Sequence, residues 1–233
     1  MRVLVTRPLG DAEETATKLI ALGHEAIVAP LLDITFRDGP ALVLDGVQAI
    51  LATSANGVRG LARRTPRRDI ALLAVGAHSA ATAHDFGFRD VRHANGDAAA
   101  LVDLVVARCV PEKGELLHVS GSETRGDIGS RLAERGFRVR KEILYDAIAA
   151  ISLPRPAAEA LSGGALDAAL FFSPRTARVF SDLVTRSGLA PACAKILGLA
   201  ISEAAAAELR PLPFRDVRTA ARPGEDALLA LLE

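Results

Sequence analysis

The sequence predicts an α/β fold of two flavodoxin-like parallel-sheet lobes joined by a two-stranded hinge linker, and three observations predict it. Short apolar runs alternate with amphipathic segments along the whole chain, which is the pattern of parallel strands covered by helices. One strand–Ser–helix layout occurs twice, at Ala49–Leu61 and at Ala168–Phe180, and the pentapeptide Phe-Arg-Asp-Val-Arg occurs at both 88–92 and 214–218. Two copies of one unit point to duplicated lobes. Finally, two turn clusters, Arg37-Asp38-Gly39-Pro40 and Pro154-Arg155-Pro156, punctuate the chain where it would pass from one lobe to the other.

Taken in order, Val3–Thr6 reads as the first strand, Asp11–Leu22 as a helix closed by Gly23, and Glu25–Ala29 as a strand ended by Pro30. Leu31–Phe36 is extended. A second series then has strands near 47–52, 70–75, 89–92, 115–119 and 138–144, with helices near 54–64, 78–86, 97–108 and 126–135. After the extended run Asp146–Leu153 comes a third series: strand 166–172, helix 174–187, strand 195–199, helix 202–210, strand 215–219 and helix 225–232. Ser173-Pro174 is a strong helix start, an N-cap hydroxyl followed by Pro at the first helical position.

The middle series holds five strands and the C-terminal one only three; residues 1–29 can supply the missing two. The expected division is a discontinuous lobe of residues 1–33 plus 151–233 and an inserted lobe of 37–144, with linkers near 31–37 and 144–151. The ligand site is expected in the cleft between the lobes.

Composition narrows the function classes. The chain has 233 residues, half of them hydrophobic, and 28 basic residues balance 28 acidic ones. No global field therefore draws it to nucleic acid or to a membrane surface. With no Trp, one Tyr and eight Phe, the core must be built from Ala, Val, Leu and Ile. Cys109 and Cys193 form neither a disulfide framework nor a CxxC motif and read as small buried apolar residues. The opening MRVLVTRPLG lacks the length of a signal-peptide core, and no run approaches a membrane span, so a cytoplasmic protein is expected; separately, a monomer is expected.

In open parallel α/β sheets, ligands sit beyond the carboxyl ends of the strands, where helix N-termini present unpaired N–H groups. The loops at those positions are rich in Ser, Thr and Gly: Thr6-Arg7-Pro8, Thr53-Ser54-Ala55-Asn56-Gly57, Gly76-Ala77-His78-Ser79, Asn95-Gly96, Ser120-Gly121-Ser122, Ser173-Pro174-Arg175 and Ser202. Such loops suit an anionic ligand, and equally suit ordinary N-capping. Recurrence in both halves favours the site reading.

Motifs of other chemistries are missing: GxGxxG, a Walker loop and GxSxG do not occur. Histidines 24, 78, 84, 93 and 118 lack metal-ligand spacing, so no metal is expected. The acid pairs Glu13-Glu14 and Glu225-Asp226 read as first-turn residues favoured by the helix dipole. Arg63, Arg64, Arg67 and Arg68, without interleaved aromatics, read as a solvated helix end. Tyr145, the one tyrosine, ends a strand where the chain re-crosses. A packing role and a catalytic role are both open to it.

Several segments, in order and spacing, resemble uroporphyrinogen-III synthases over nearly the whole chain. They are VLVTRP, ILATSANGV, LLAVGAHSAATA with a following FG, ANGDAAALVDLV, LLHVSGSETRGDIGSRLAERGFRVRKEILYDA, LFFSPRTARVF and AARPGEDALLALL. The resemblance implies two flavodoxin-like lobes and a cofactor-free lyase of tetrapyrrole (haem) biosynthesis. Its substrate would be the linear tetrapyrrole hydroxymethylbilane, closed to uroporphyrinogen III with ring D inverted and water lost. It implies a catalytic role for Tyr145, and binding roles for Thr53, Ser54, Gly76, Ser79, Gly121, Arg125 and Ser173; Thr6 and Arg7 join them as the loop after the first strand.

One turn departs from the family pattern. Where Gly-x-Thr-Thr-Ala is usual, this chain has Ser202-Glu203-Ala204-Ala205-Ala206, so a hydroxyl is missing at Ala205 and Glu203 adds a charge that opposes a carboxylate. That turn keeps a second reading alive, a non-catalytic tetrapyrrole-binding or regulatory paralogue. A third reading, a sugar- or anion-binding module of the periplasmic type, conflicts with the expected cytoplasmic location.

Overall fold

The computed structural model describes residues 1–123 and 127–233. The chain divides into two compact units, Met1–Asp33 with Ile148–Glu233, and Ile34–Ala147. Each is an α/β sandwich around its own sheet.

In the first unit, β1 (Arg2–Val5), β2 (Glu25–Val28), β9 (Ala168–Phe171), β10 (Leu197–Ala200) and β11 (Asp216–Thr219) form a sheet of order β11-β10-β9-β1-β2. All its pairs are parallel. Parallel neighbours need crossovers. These are supplied by α1 (Leu9–Ala21), α6 (Arg155–Ser162), α7 (Pro174–Arg186) and α8 (Glu203–Leu209), with α9 (Glu225–Leu229) after the last strand. Helix α1 buries Ala12, Thr15 and Leu19, one helical face, and stops at Gly23, whose φ of +79° only glycine adopts without strain.

The second unit holds β3 (Leu32–Phe36), β4 (Val47–Ala52), β5 (Ala71–Ala74), β6 (Val91–His93), β7 (Glu115–Gly121) and β8 (Val139–Ala149) in the order β3-β8-β7-β4-β5-β6. The pairs β8-β7-β4-β5-β6 are parallel. Strand β3 runs against β8: Arg37 donates its N–H to Leu144 O, and Ala150 to Leu31 O. Helices α2 (Ala55–Arg64), α3 (Ala77–Asp85), α4 (Ala98–Arg108) and α5 (Ile128–Ala133) cover the faces.

The two sheets share one topology in permuted order. Counting from β4, the second unit's parallel strands run 3-2-1-4-5. Counting from β9 through the C-terminus to β1 and β2, so do the first unit's. This matches the duplicated segments, since β4–α2 and β9–α7 are the two strand–Ser–helix copies.

The inner strands β1, β4, β5, β9 and β10 are largely buried on both faces, which is why they read as apolar runs, whereas the edge strands β6 and β11 carry exposed polar residues. Leu4, Ala169 and Phe171 point to one layer of the first unit and Val3, Val5 and Leu170 to the other. In the second unit Ile50, Ala52, Leu117 and Val119 face one layer, and Ala49, Leu51 and Leu116 the opposite one. Phe171, Phe180 and Phe214 form the largest aromatic group, with centroids 5.1 to 6.2 Å apart.

Four elements differ from expectation. Helix α6 lies just after Pro154, because Pro156 falls in its first turn, where a missing N–H costs nothing. Strand β8 runs to Ala149 rather than 144, held by pairing on both edges. Helix α1 begins at Leu9, so Asp11 rather than Glu13-Glu14 is its first-turn acid. The last helix is α9 followed by a 3-10 turn, Ala230–Leu232. Among the described residues, no helix is long and apolar enough to cross a membrane.

Candidate functional site

Each unit presents one edge at which the carboxyl ends of parallel strands meet helix N-termini. In the second unit this edge carries Thr53-Ser54 after β4, Gly76 after β5, Gly121 at the end of β7 and Tyr145 on β8. These strands are consecutive neighbours, β8-β7-β4-β5, so the four positions form a row.

Ser54 caps α2: its backbone is extended (φ −154°) and its Oγ accepts the Asn56 N–H at 3.1 Å. Asn56 in turn accepts from Arg59 through its side-chain oxygen at 2.9 Å. Gly76 is the extended N-cap of α3, and a Cβ there would meet nothing within 4 Å, so the start of that helix stays uncovered by its own side chain. Ser79, on the first turn of α3, is buried at 7 % exposure. Helix α2 is drawn close over the strands by glycine: a Cβ on Gly57 would lie 2.9 Å from Val119 O, and one on Gly60 2.8 Å from the Leu144 Cβ.

Tyr145 is buried at 9 % exposure, with its ring centroid 6.5 Å from that of Phe36. Its ring lies directly over Gly121. The next residue, Asp146, accepts Arg37 Nε at 2.7 Å and Arg37 Nη2 at 2.8 Å. Those bonds and a hydrogen bond from Ser122 hold its carboxyl down at about 2.

In the first unit the corresponding edge carries Thr6-Arg7 after β1, Ser173 after β9 and Ser202 after β10. Thr6 is fully buried and its hydroxyl donates to Leu170 O at 2.8 Å. Ser173 Oγ accepts the Thr176 N–H at 3.1 Å and shares a 2.8 Å hydrogen bond with Thr176 Oγ1. Ser202 Oγ accepts the Ala205 N–H at 3.3 Å, and Glu203 is exposed in the first turn of α8.

Arg7 sits in a buried polar knot. Its Nη1 donates to Thr15 Oγ1 at 3.1 Å and pairs with Glu225 Oε1 at 3.0 Å, its Nη2 lies 3.3 Å from Asp11 Oδ2, and its guanidinium stacks 4.3 Å over the Phe172 ring. Thr15 Oγ1 also bonds Glu225 Oε1 at 2.6 Å, and Lys18 pairs with the other oxygen. These bonds outweigh burial and keep the Glu225 carboxyl below its usual range.

The structure thus collects Thr53, Ser54, Gly76, Ser79, Gly121 and Tyr145 within one unit, and Thr6, Arg7 and Ser173 within the other. Arg125 lies outside the described residues. Ser122 lies in a loop the sequence singled out, whereas Arg37, Asp146 and Glu225 were not among the expected site residues. Arg37 and Asp146 are 109 positions apart, and Arg7 and Glu225 218 apart, so no local pattern announces either pair. Cys193 is buried and Cys109, expected to be buried, is only partly so; burial raises both thiols, Cys193 to about 11.

Chemically, both edges offer first-turn N–H groups, small residues and capping hydroxyls, an arrangement that receives carboxylates without a surplus of cations. The Tyr145 phenol lies on the strand that borders this edge in the second unit.

A family model described as uroporphyrinogen-III synthase HemD matches residues 13–230. No curated protein matches the chain. Among solved structures, uroporphyrinogen-III synthetase from Helicobacter pylori 26695 is similar with a TM-score of 0.63 at 17% identity, covering 100% of this chain and 98% of that one. A mutant uroporphyrinogen III synthase from the extremely thermophilic bacterium Thermus thermophilus is similar with a TM-score of 0.55 at 22% identity, covering 100% and 97%. The fold is the one those structures have, and the family match spans nearly the whole chain: the protein belongs to the uroporphyrinogen-III synthase family.

Proposed function

We propose that this protein converts hydroxymethylbilane into uroporphyrinogen III. The observation that carries the reading is the family match over residues 13–230; the chemistry of the two strand edges supports it. The substrate is a flexible chain of four pyrroles bearing eight carboxylates. Amides at the starts of α2, α3 and α7 would hold those groups as helix dipoles hold anions, at modest cost in charge repulsion.

Hydroxymethylbilane closes spontaneously to the symmetric type I isomer, so the protein's task is to control conformation. Loss of the hydroxyl as water leaves an electrophilic azafulvene. The substituted carbon of ring D attacks it, giving a spiro intermediate that reopens and recloses with ring D inverted, and a ring proton is released at the end. Holding the reacting carbons together supplies most of the advantage, and acid assistance to the departing hydroxyl supplies the rest. Tyr145 is the group assigned to that assistance. Thr53, Ser54, Gly76, Ser79 and Ser173 are assigned to substrate carboxylates, with Gly121, Thr6, Arg7 and Arg125 flanking them.

A non-catalytic tetrapyrrole-binding paralogue is the second reading, favoured by the 202–206 turn, where Ser202 is occupied as a cap and Glu203 faces solvent. The protein incubated with freshly generated hydroxymethylbilane, followed by oxidation and separation of the porphyrins, distinguishes the two. Synthase activity gives mainly the type III isomer. The type I isomer alone, as in the protein-free control, rejects catalysis.

A further inference from the structure

Tyr145 occupies a seat that the rest of the strand pair is built to make. Along β7 and β8 the register runs Ser120 opposite Ile143, then Gly121 opposite Tyr145, skipping Leu144. That is a β-bulge, one extra residue on β8, and a bulge re-aims the side chain that follows it. In a regular strand Leu144 and Tyr145 would face opposite sides. Here both are buried, Leu144 against Gly60 of α2 and Tyr145 beside Phe36, which itself meets Gly60.

Two further features fix the re-aimed ring. A Cβ on Gly121 would lie 2.8 Å from both Tyr145 Cε2 and Cζ and 3.2 Å from its Oη. The phenol therefore fits in that orientation only because residue 121 has no side chain. The bulge is also tied on its far side: Ser122 donates its N–H to Tyr145 O at 3.0 Å, and the Asp146 carboxylate is gripped by Nε and Nη2 of Arg37 and by the Ser122 side chain. Arg37 reaches Leu144 as well, through its own N–H at 2.9 Å. Planar two-point pairing of this kind fixes direction as well as distance.

We infer that Gly121, Ser122, Asp146 and Arg37 are positioning residues that together set the direction of the Tyr145 hydroxyl for the reaction. The inference rests on the proposed role of Tyr145, and it assigns Gly121 to shaping the tyrosine seat, a more specific task than flanking the substrate. Arg37 and Asp146 act at one remove, by holding the bulge.

The chain has one tyrosine and no tryptophan, so its near-ultraviolet tyrosine signal reports this ring alone. Gly121→Ala, Asp146→Asn and Arg37→Met are each compared with wild type and with Tyr145→Phe. The measurements are tyrosine circular dichroism, acrylamide quenching of tyrosine fluorescence, and kcat and KM for type III formation. The expected result is a weakened dichroic band and easier quenching, with kcat about tenfold lower and KM within about twofold of wild type. Arg37→Lys, which keeps one donor, should restore part of both signals.

The Arg37–Asp146 pair is partly exposed, so its variants fold even where Gly121→Ala does not. Wild-type dichroism and quenching in Asp146→Asn and Arg37→Met would overturn the inference, whatever the activity of Tyr145→Phe. An altered ring signal with wild-type kcat would overturn the link to the reaction. Wild-type turnover by Tyr145→Phe would instead remove the proposed role of the tyrosine, leaving the seat itself intact.

Discussion

Replacing His118 by Leu should flatten the acid side of the stability profile. His118 lies on β7 at 5 % exposure, and its register partner on β8 is Lys141. Its face of the strand is that of Leu116, packed with Leu101, Ile128 and Leu132. Burial, with the lysine charge adding to it, pushes the imidazole down from 6.5 to about 4. Between those values the unfolded chain takes up a proton that the folded one refuses. Stability is therefore full above pH 6.5 and is lost as pH falls toward 4. At about 1.4 kcal/mol per tenfold change in binding, the displacement is worth roughly 3 kcal/mol. Nε2 has no hydrogen-bond partner among the described residues, so an apolar side chain of similar size costs little at neutral pH. Urea unfolding followed by far-ultraviolet dichroism, at about pH 7.5 and about pH 4.5, measures the loss for each protein. His118→Leu should lose roughly 2 to 3 kcal/mol less than wild type. Equal losses would show that His118 is protonated in the folded protein at an ordinary pH, and the reasoning would fail.

Four other outcomes follow from named contacts. Glu225→Ala leaves the Arg7 guanidinium with part of its buried pairing removed and should lower stability by about 3 kcal/mol in thermal or urea unfolding. Gly57→Ala drives a Cβ against a backbone carbonyl that cannot turn aside, costing about 1 to 3 kcal/mol by the same assay. Ser54→Ala removes the α2 cap, about 1 kcal/mol, and should raise KM only severalfold if backbone amides do most of the holding. Tyr145→Phe should lower kcat by about tenfold to a hundredfold with unfolding unchanged, read by type III product formation.

Features set by near neighbours in the chain were legible in the sequence. The β/α alternation, the caps at Ser54 and Ser173, and the parallel sheets all follow from patterns a few residues long. So did the duplication, because Phe88 and Phe214 recur inside identical pentapeptides. What escaped was set by distant partners or by two local rules in conflict. Helix α6 was hidden because Pro156 reads as a breaker until it is known to lie in a first turn. The bulge at Leu144 breaks the two-residue alternation without a Gly or Pro to mark it on β8. The side-chain partners of Arg7 include Glu225, 218 positions away, beside the nearby Asp11 and Thr15. Thr6 likewise spends its hydroxyl on Leu170 O.

The placement of the ligand at the carboxyl ends of the strands can be tested without reference to turnover. Amide hydrogen exchange is measured with and without uroporphyrinogen III. Slowed exchange is expected at the starts of α2, α3 and α7, around residues 54–58, 77–80 and 174–177, and no change at the amino ends of the strands, around 44–47 and 111–115. Protection confined to those amino ends, or absent from all three helix starts, would contradict that placement.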